Sequence, residues 1–150
     1  HGGQVYQENV AQDQVRAHDW RRRVAMLPAE SQWWFDRVEQ HFTARREHIE
    51  ALGFKMDVMN WQVSRCSSGE KQRLSVLRLL AHCPRVLLLD EPTANLDTAN
   101  AARVEDLVLA YLEERNAAAI WVGHDVDQLK RVSRQRYHLE KGRLLRADES

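Results

Sequence analysis

The sequence is poor in cysteine, which occurs only at Cys66 and Cys83 in 150 residues. Two cysteines make neither a disulfide framework nor the spacing of a zinc site, which favours a reduced, cytosolic setting. No apolar run approaches the roughly 18–20 residues that cross a bilayer. The first residues, HGGQVYQENV, do not resemble a signal peptide. We therefore expect a soluble chain without direct membrane insertion, which can still dock onto a membrane protein.

An excess of either charge is also missing, because 22 Lys and Arg balance 22 Asp and Glu. A general nucleic-acid-binding surface needs a basic excess, so we expect no nucleic-acid partner. Apolar residues make up 43% of the chain and charged residues 29%, which supports a packed core and excludes low-complexity disorder. The length suits one domain.

Short apolar segments bounded by polar or turn residues predict the strands. These are Gln4–Gln7, Val24–Leu27, 86–89, 118–122 and a closing hairpin that turns at Lys141-Gly142. We interpret Arg21–Arg23 as a solvated edge of the second strand.

Apolar residues at helical spacing predict the helices. A helix within 32–61 would place Trp34, Val38, His41 and Phe42 on one face, and Thr43 would cap another that carries Ile49 and Leu52 inward and ends at Gly53. The exposed face of that helix would include 44–48. Further helices are predicted from Gly69 or Glu70 to Pro84, around Val104–Leu112, and over Val126–Val132.

Strands alternate with helices in the second half of the chain, which predicts parallel pairing with helices on the sheet faces. The block 32–84 is predicted to be mostly helical. The expected fold is therefore α/β, with a parallel sheet core and an inserted α-helical subdomain.

Polar residues follow two of the predicted strands directly. Asp90 and Glu91 come after 86–89, and Gly123, His124 and Asp125 come after 118–122. Ligands in open α/β sheets collect beyond the carboxyl ends of the strands. One carboxylate there can hold the water shell of Mg²⁺ while the other orients or deprotonates an attacking water, beside a phosphate.

Three segments together resemble the motifs of the ATP-binding-cassette (ABC) ATPases. VLLLDEPTANLD resembles their Walker B strand and D-loop, CSSGEKQRLSVLRLL resembles their signature motif, and WVGHD resembles their switch-histidine loop. The order and spacing fit as well. GGQVYQ resembles the strand after the family's phosphate-loop helix, and VAMLPAESQWWFDRVEQHF resembles the region around its Q-loop. The resemblance implies a P-loop NTPase-like core, divided into a strand and Q-loop region (1–31), a helical subdomain with the signature (32–84), and the Walker B, D-loop and switch-histidine half (85–150).

The resemblance implies roles for several residues. Asp90 would hold the water shell of Mg²⁺, Glu91 would be the general base, and His124 would sense the γ-phosphate. Asp97 would act across a dimer interface. The signature residues Ser67, Ser68, Gly69 and Glu70 would meet the nucleotide of an opposing subunit, at a helix start whose free N–H groups favour anions.

The sequence departs from the family pattern in three places. No G-x-x-x-x-G-K-[ST] phosphate loop is present, because none of the four lysines follows a glycine. Ala29 stands at the expected position of the Q-loop glutamine, which Gln32 replaces only if the loop bends differently. The signature has Cys66 for leucine and Ser68 for the first glycine.

By resemblance, the chain is an ATP-binding and ATP-hydrolysing subunit of an ABC transporter, present as a fragment without the phosphate loop. Mg²⁺ and ATP would bind in a complete assembly, with none expected on this chain alone. The implied partners are a second ATPase subunit and transmembrane permease subunits. The chain itself would be cytoplasmic and, when assembled, peripheral to the inner membrane. An exposed sheet edge predicts self-association. The alternative is a non-catalytic interaction module, in which Ser67–Gly69 and Asp97 are plain helix caps and His124 is an ordinary loop histidine.

Overall fold

The computed structural model describes residues 3–42 and 48–147, so the predicted cap at Thr43 and most of the predicted helix face at 44–48 lie outside the described residues. Four α-helices and seven strands occur in the described part. The strands are β1 (Tyr6–Gln7), β2 (Val10–Ala11), β3 (Val24–Leu27), β4 (Val86–Asp90), β5 (Ala118–Val122), β6 (Tyr137–Glu140) and β7 (Arg143–Arg146). The helices are α1 (Ala17–Arg23), α2 (Ser68–Leu80), α3 (Thr98–Arg115) and α4 (Val126–Val132).

The central sheet is parallel and has the order β3-β4-β5, as the alternation of strands and helices predicted. Its register aligns Met26, Leu88 and Ile120 in one row across the three strands. The carboxyl ends of all three strands therefore lie at one edge. Two separate antiparallel pairs, β1-β2 and β6-β7, complete the described strands, and the last confirms the predicted hairpin.

The two faces of this sheet differ in burial. On one face Leu27, Leu87 and Leu89 are at most 2% exposed and belong to a core that includes apolar residues of α2 and α3. On the other face Met26 is 58% exposed and Ile120 is 61% exposed. A parallel sheet is normally covered on both faces, so this second face is available to another layer.

The prediction of helices within 32–61 is wrong for the described residues. The chain forms short 3₁₀ turns at Val38–His41 and Met56–Asn60 instead. The segment folds back on itself, since Val38 N donates to Trp61 O and Val63 N donates to Asp36 O. A continuous helix cannot make that pairing. Val38 and His41 are buried as predicted, but Trp34 is 64% exposed.

Cation–π contacts from α2 and the turn before it hold this irregular segment. The guanidinium carbon of Arg65 lies 4.0 Å from the Trp61 ring centroid, that of Arg73 lies 4.3 Å from Phe54, and that of Arg78 lies 4.6 Å from Trp33. Ile49 and Leu52 point inward as expected, at 2% and 0% exposure. These contacts tie the described part of the inserted region to α2 and the turn before it.

The interpretation of Arg21–Arg23 as a strand edge is also wrong, because these residues form the last turn of α1. Trp20 is the buried residue of α1, so this helix lacks the apolar stripe by which a helix is predicted from sequence. The three arginines suit the negative end of the helix dipole. The predicted strand Gln4–Gln7 is shorter than expected, covering Tyr6–Gln7.

Candidate functional site

Asp90 and Glu91 lie where the three parallel strands end. Asp90 is the last residue of β4 and pairs with Val122 of β5. Glu91 follows with a φ of +49°, in the left-handed region that residues other than glycine, asparagine and aspartate rarely adopt. Its backbone is fixed there because Glu91 N donates to Val122 O at 3.0 Å. Strained backbone of this kind clusters at functional sites.

The structure brings His124 onto Glu91, as the position of both at the same sheet edge predicted. His124 Nε2 lies 2.6 Å from Glu91 Oε1. The histidine side chain is 85% exposed and the glutamate side chain 35% exposed. A carboxylate and an imidazole that face open solvent together can both reach a ligand placed at this edge.

Gln72 holds the turn after β4 from the other side, and the sequence did not single it out. Its Nε2 lies 3.2 Å from Pro92 O and 3.4 Å from Glu91 O, and the residue is 7% exposed. A glutamine on the buried side of α2 needs a polar partner, which is the signal that could have marked it. The helix that follows the signature is therefore bonded directly to the backbone of Glu91.

The signature segment forms the start of α2. Ser67 is the N-cap, its Oγ accepting from Glu70 N at 3.2 Å, while Glu70 Oε2 accepts from Ser67 N at 2.8 Å. The amides of Ser68 and Gly69 precede the first main-chain bond of the helix, from Lys71 N to Ser67 O. These amides suit an anion, although the Glu70 carboxylate lies at the same helix end.

Gly69 lies where α2 closely approaches the D-loop. A Cβ at this position would lie 3.3 Å from Asn95 O and 3.2 Å from a methyl carbon of Leu96. The signature turn and the D-loop are therefore in close contact within one chain. Cys66, at the leucine position of the signature, is buried at 6% exposure and fills that apolar place.

Asp97 is the N-cap of α3, as expected if this residue is a plain helix cap. Its Oδ1 accepts from Asn100 N at 2.8 Å and its Oδ2 accepts from Asn100 Nδ2 at 2.7 Å. These bonds from the backbone and side chain of Asn100 lower the pKa of the carboxyl below its ordinary value. A role across a dimer interface stays a prediction.

The Q-loop position follows β3 at the same sheet edge as Asp90. Ala29 lies exposed two residues after Leu27, which pairs with Leu89. Gln32 is exposed, and its carbonyl accepts a hydrogen bond from Arg78 Nη1 at 3.0 Å. This bond anchors the backbone of Gln32 to α2, beside the contact of Arg78 with Trp33. Its substitution for the missing glutamine stays a prediction.

A hydrogen-bonded network joins the turn after Glu91 to α3 and α4. We call it the Gln128 network, and its members are Thr93, Glu105, Gln128 and Arg131. It borders an open groove of about 620 Å³, whose lining includes Glu91, Thr93, Leu96, His124, Gln128 and Arg131. No sequence pattern marks this network, because Glu105 and Gln128 lie on helices outside any motif.

The residues fit part of the requirements of Mg²⁺ and a nucleotide. Mg²⁺ keeps most of its water and needs one or two carboxylates, which Asp90 and Glu91 can supply at the strand end. Within residues 3–42 and 48–147 there is no group of three or more His, Cys, Asp or Glu that could enclose a metal alone. The sequence holds no G-x-x-x-x-G-K-[ST] phosphate loop, the motif whose amides and lysine hold a triphosphate.

Comparison with protein families decides the relationship. The family model described as ABC transporter matches residues 1–94, well over half of the chain. The chain belongs to the ABC transporter family. No helix among the described residues is long and apolar enough to span a bilayer.

Curated members of the ABC family resemble the chain over part of their length. It is 46% identical over 79 residues to the phosphate import ATP-binding protein PstB of Aeropyrum pernix, covering 53% of this chain and 31% of that protein. It is 39% identical over 87 residues to the lipoprotein-releasing system ATP-binding protein LolD of Hydrogenovibrio crunogenus, covering 58% and 37%. The chain thus spans less than half the length of the curated relatives it matches.

A solved structure confirms the ABC fold. The dimeric, post-hydrolysis ATP-binding cassette MJ0796 bound to ADP and Pi superimposes with a TM-score of 0.80 and 18% identity. The match covers 99% of this chain and 75% of that one. The α/β class with a parallel sheet, predicted from the order of strands and helices, is therefore correct.

Proposed function

We propose that this chain is the hydrolytic and signature-bearing part of an ABC transporter ATPase, which acts once a phosphate loop is supplied. The observation that carries the proposal is the contact of 2.6 Å between His124 and Glu91, beside Asp90 at the end of β4. The relatives that bear ATP-binding names in phosphate import and lipoprotein release support the class. The transported substrate does not follow from these residues.

Each residue has a distinct part in the proposed reaction. Glu91 accepts a proton from, or orients, the attacking water, and His124 senses the γ-phosphate and helps to stabilise the charge that develops on it. Asp90 holds the hydration shell of Mg²⁺, which when bound neutralises phosphate charge. Ser67 and the free amides of Ser68 and Gly69 face a nucleotide held by an opposing subunit.

The proposal includes a second ATPase subunit and transmembrane permease subunits as partners, at the cytoplasmic side of the inner membrane. It also includes self-association through the edge of the sheet. Support comes from β5, which is an edge strand of the described sheet. Unpaired apolar edges favour association. Small-angle scattering should give a mass above that of one chain, and a strictly monomeric species would count against this part.

The test joins a segment carrying the family's phosphate loop, G-x-x-x-x-G-K-[ST], to the N-terminus of the chain. Hydrolysis of Mg-ATP is then measured for this fusion and for its Glu91→Gln variant. The proposal expects turnover that depends on both the added segment and Glu91. Turnover that persists at the same rate after Glu91→Gln would defeat the assignment of the base.

A second candidate is a non-catalytic interaction module that does not bind ATP alone. The favouring observation is that Ser67 and Asp97 both make ordinary helix caps. This candidate predicts a folded fusion, judged by its amide spectrum, that binds Mg-ATP without turning it over. That outcome would replace the hydrolytic proposal.

A further inference from the structure

The Gln128 network links the loop that carries Glu91 to the helix that follows His124. Gln128 Nε2 lies 2.8 Å from Glu105 Oε1 and 2.9 Å from Thr93 Oγ1. Arg131 donates to the same carboxylate through Nε and Nη2, each at 3.1 Å. Three elements, the turn after β4, α3 and α4, therefore meet at one amide.

The negative charge of Glu105 determines which end of the Gln128 side-chain amide faces it. The side chain of Glu105 is 7% exposed, and a carboxylate at this depth needs donors. Burial raises the pKa of Glu105, but the hydrogen bonds from Arg131 and Gln128 outweigh it and bring the pKa below the ordinary value. Glu105 is then an acceptor, so the NH₂ group of Gln128 must face it.

Hydrogen bonds hold the chain on both sides of His124. On the side before His124, Val122 O accepts from Glu91 N at 3.0 Å. On the side after it, Asp125 Oδ1 accepts from the backbone N of Gln128 at 3.0 Å. The Gln128 side chain then returns to Thr93, two residues after Glu91. The loop 123–125 is thus fastened to the Glu91 turn at both ends.

Packing contributes little to the position of the His124 ring, because its side chain is 85% exposed. An exposed side chain on an unrestrained loop samples many rotamers, and restraint at both loop ends reduces that freedom. We propose that Gln128, held by Glu105 and Arg131, is a positioning residue that keeps the His124 imidazole against the Glu91 carboxylate. This inference rests on the hydrolytic role proposed above for those two residues.

The test measures the coupling of His124 to Glu91 in the chain itself, without nucleotide. The probe is the ¹⁵N resonance of the His124 ring in histidine-labelled protein, assigned by its loss in His124→Gln. Glu91→Gln should displace this resonance in the wild-type background. The same displacement is measured in Gln128→Leu, in Thr93→Val and in the control Lys130→Leu, which lies on α4 beside Asp127 and outside the network.

The expected displacement in Gln128→Leu and Thr93→Val is about half or less of the wild-type value, and it is retained in Lys130→Leu. A full displacement in either network variant that keeps the wild-type amide spectrum would overturn the inference. No displacement in the wild type would overturn it too, because the contact to be held would then be missing. Thr93→Val removes only a hydroxyl, so it carries the test if Gln128→Leu does not fold.

This cycle separates the positioning role from the proposed function. A coupled pair without turnover in the phosphate-loop fusion would defeat the hydrolytic proposal and leave the geometry intact. Turnover that depends on Glu91, together with uncoupled resonances, would defeat the positioning role alone.

Discussion

The two parts of the candidate site are held in different ways. At the signature and D-loop, Ser67 and Asp97 use their side chains as helix caps, which ordinary folding requires of such positions. At the Walker B edge, Glu91 has a φ of +49° and its carboxylate meets an exposed histidine. Neither feature helps the fold, since the backbone conformation costs free energy and an exposed pair contributes little.

The difference indicates which residues carry evidence of function. A capping serine or aspartate would be kept by stability alone, so its presence is compatible with a module that has lost catalysis. The contact of the Glu91 carboxylate with an exposed histidine, by contrast, serves neither as a helix cap nor as a core contact. The Walker B edge is therefore the part of the molecule on which the proposed hydrolysis depends.

The largest expected effect is the loss of turnover when the Glu91 carboxylate at the Walker B edge is removed. Glu91→Gln in the phosphate-loop fusion should lower turnover about 10²–10⁴-fold, because loss of a general base typically costs that much. The amide keeps the size of the side chain, so the unfolding midpoint should stay unchanged. Glu113→Gln, an exposed change on α3, is the matched control and should retain full turnover.

A smaller effect is expected at the capped part. Ser67→Ala should lower the free energy of unfolding by about 0.5–2 kcal/mol, because the N-cap bond to Glu70 N is lost. Urea denaturation measures it. Ser64→Ala, an exposed change before the cap, is the control and should have almost no effect. An unchanged stability in Ser67→Ala would remove the structural explanation of this serine.

A glycine at position 91 tests whether the positive φ of Glu91 destabilises the fold, which the two capped residues do not. Glu91→Gly should raise the free energy of unfolding by about 1 kcal/mol, since glycine adopts a positive φ without steric cost. Glu91→Ala removes the same carboxylate but keeps the Cβ, so it should bring no such gain. Equal stabilities of the glycine and alanine variants, measured by urea denaturation, would show that Glu91 is not strained.

The smallest effect concerns acid stability and Glu105. The folded-state pKa of Glu105 lies below its ordinary value of 4.5, so its contribution to stability is present above pH 4.5 and is lost as pH falls through the folded pKa. The difference in unfolding free energy between wild type and Glu105→Gln should therefore stay constant down to about pH 4.5 and shrink below it. A difference that stays constant or grows below pH 4.5 would contradict the ionised network.

Local patterns predicted the strands of the parallel sheet and the helix after His124 well. The bounds of β3, β5 and α4 agree with the expectation residue for residue, because each is a continuous pattern ended by a turn or a polar residue. Asp90, Glu91 and His124 lie at one edge of the sheet because parallel strands end there, which the order of elements already implied.

The irregular segment 32–61 could not be predicted in this way. Its apolar spacing is helical, but pairing between Arg37 and Gln62 and stacking of Arg78 on Trp33 override the local preference. The Gln128 network could not be predicted from local patterns either, since Thr93, Glu105 and Gln128 are distant in sequence and meet only after the sheet and helices are assembled.

We propose that the chain carries the Walker B and switch-histidine residues and that it needs an added phosphate loop to hold a triphosphate. Isothermal titration of the 150-residue chain with Mg-ATP tests it most directly. Without a cradle of amides and a lysine, the triphosphate would face the carboxylates of Asp90 and Glu91, so we predict no binding in the micromolar range. A micromolar dissociation constant for this chain alone would contradict the account.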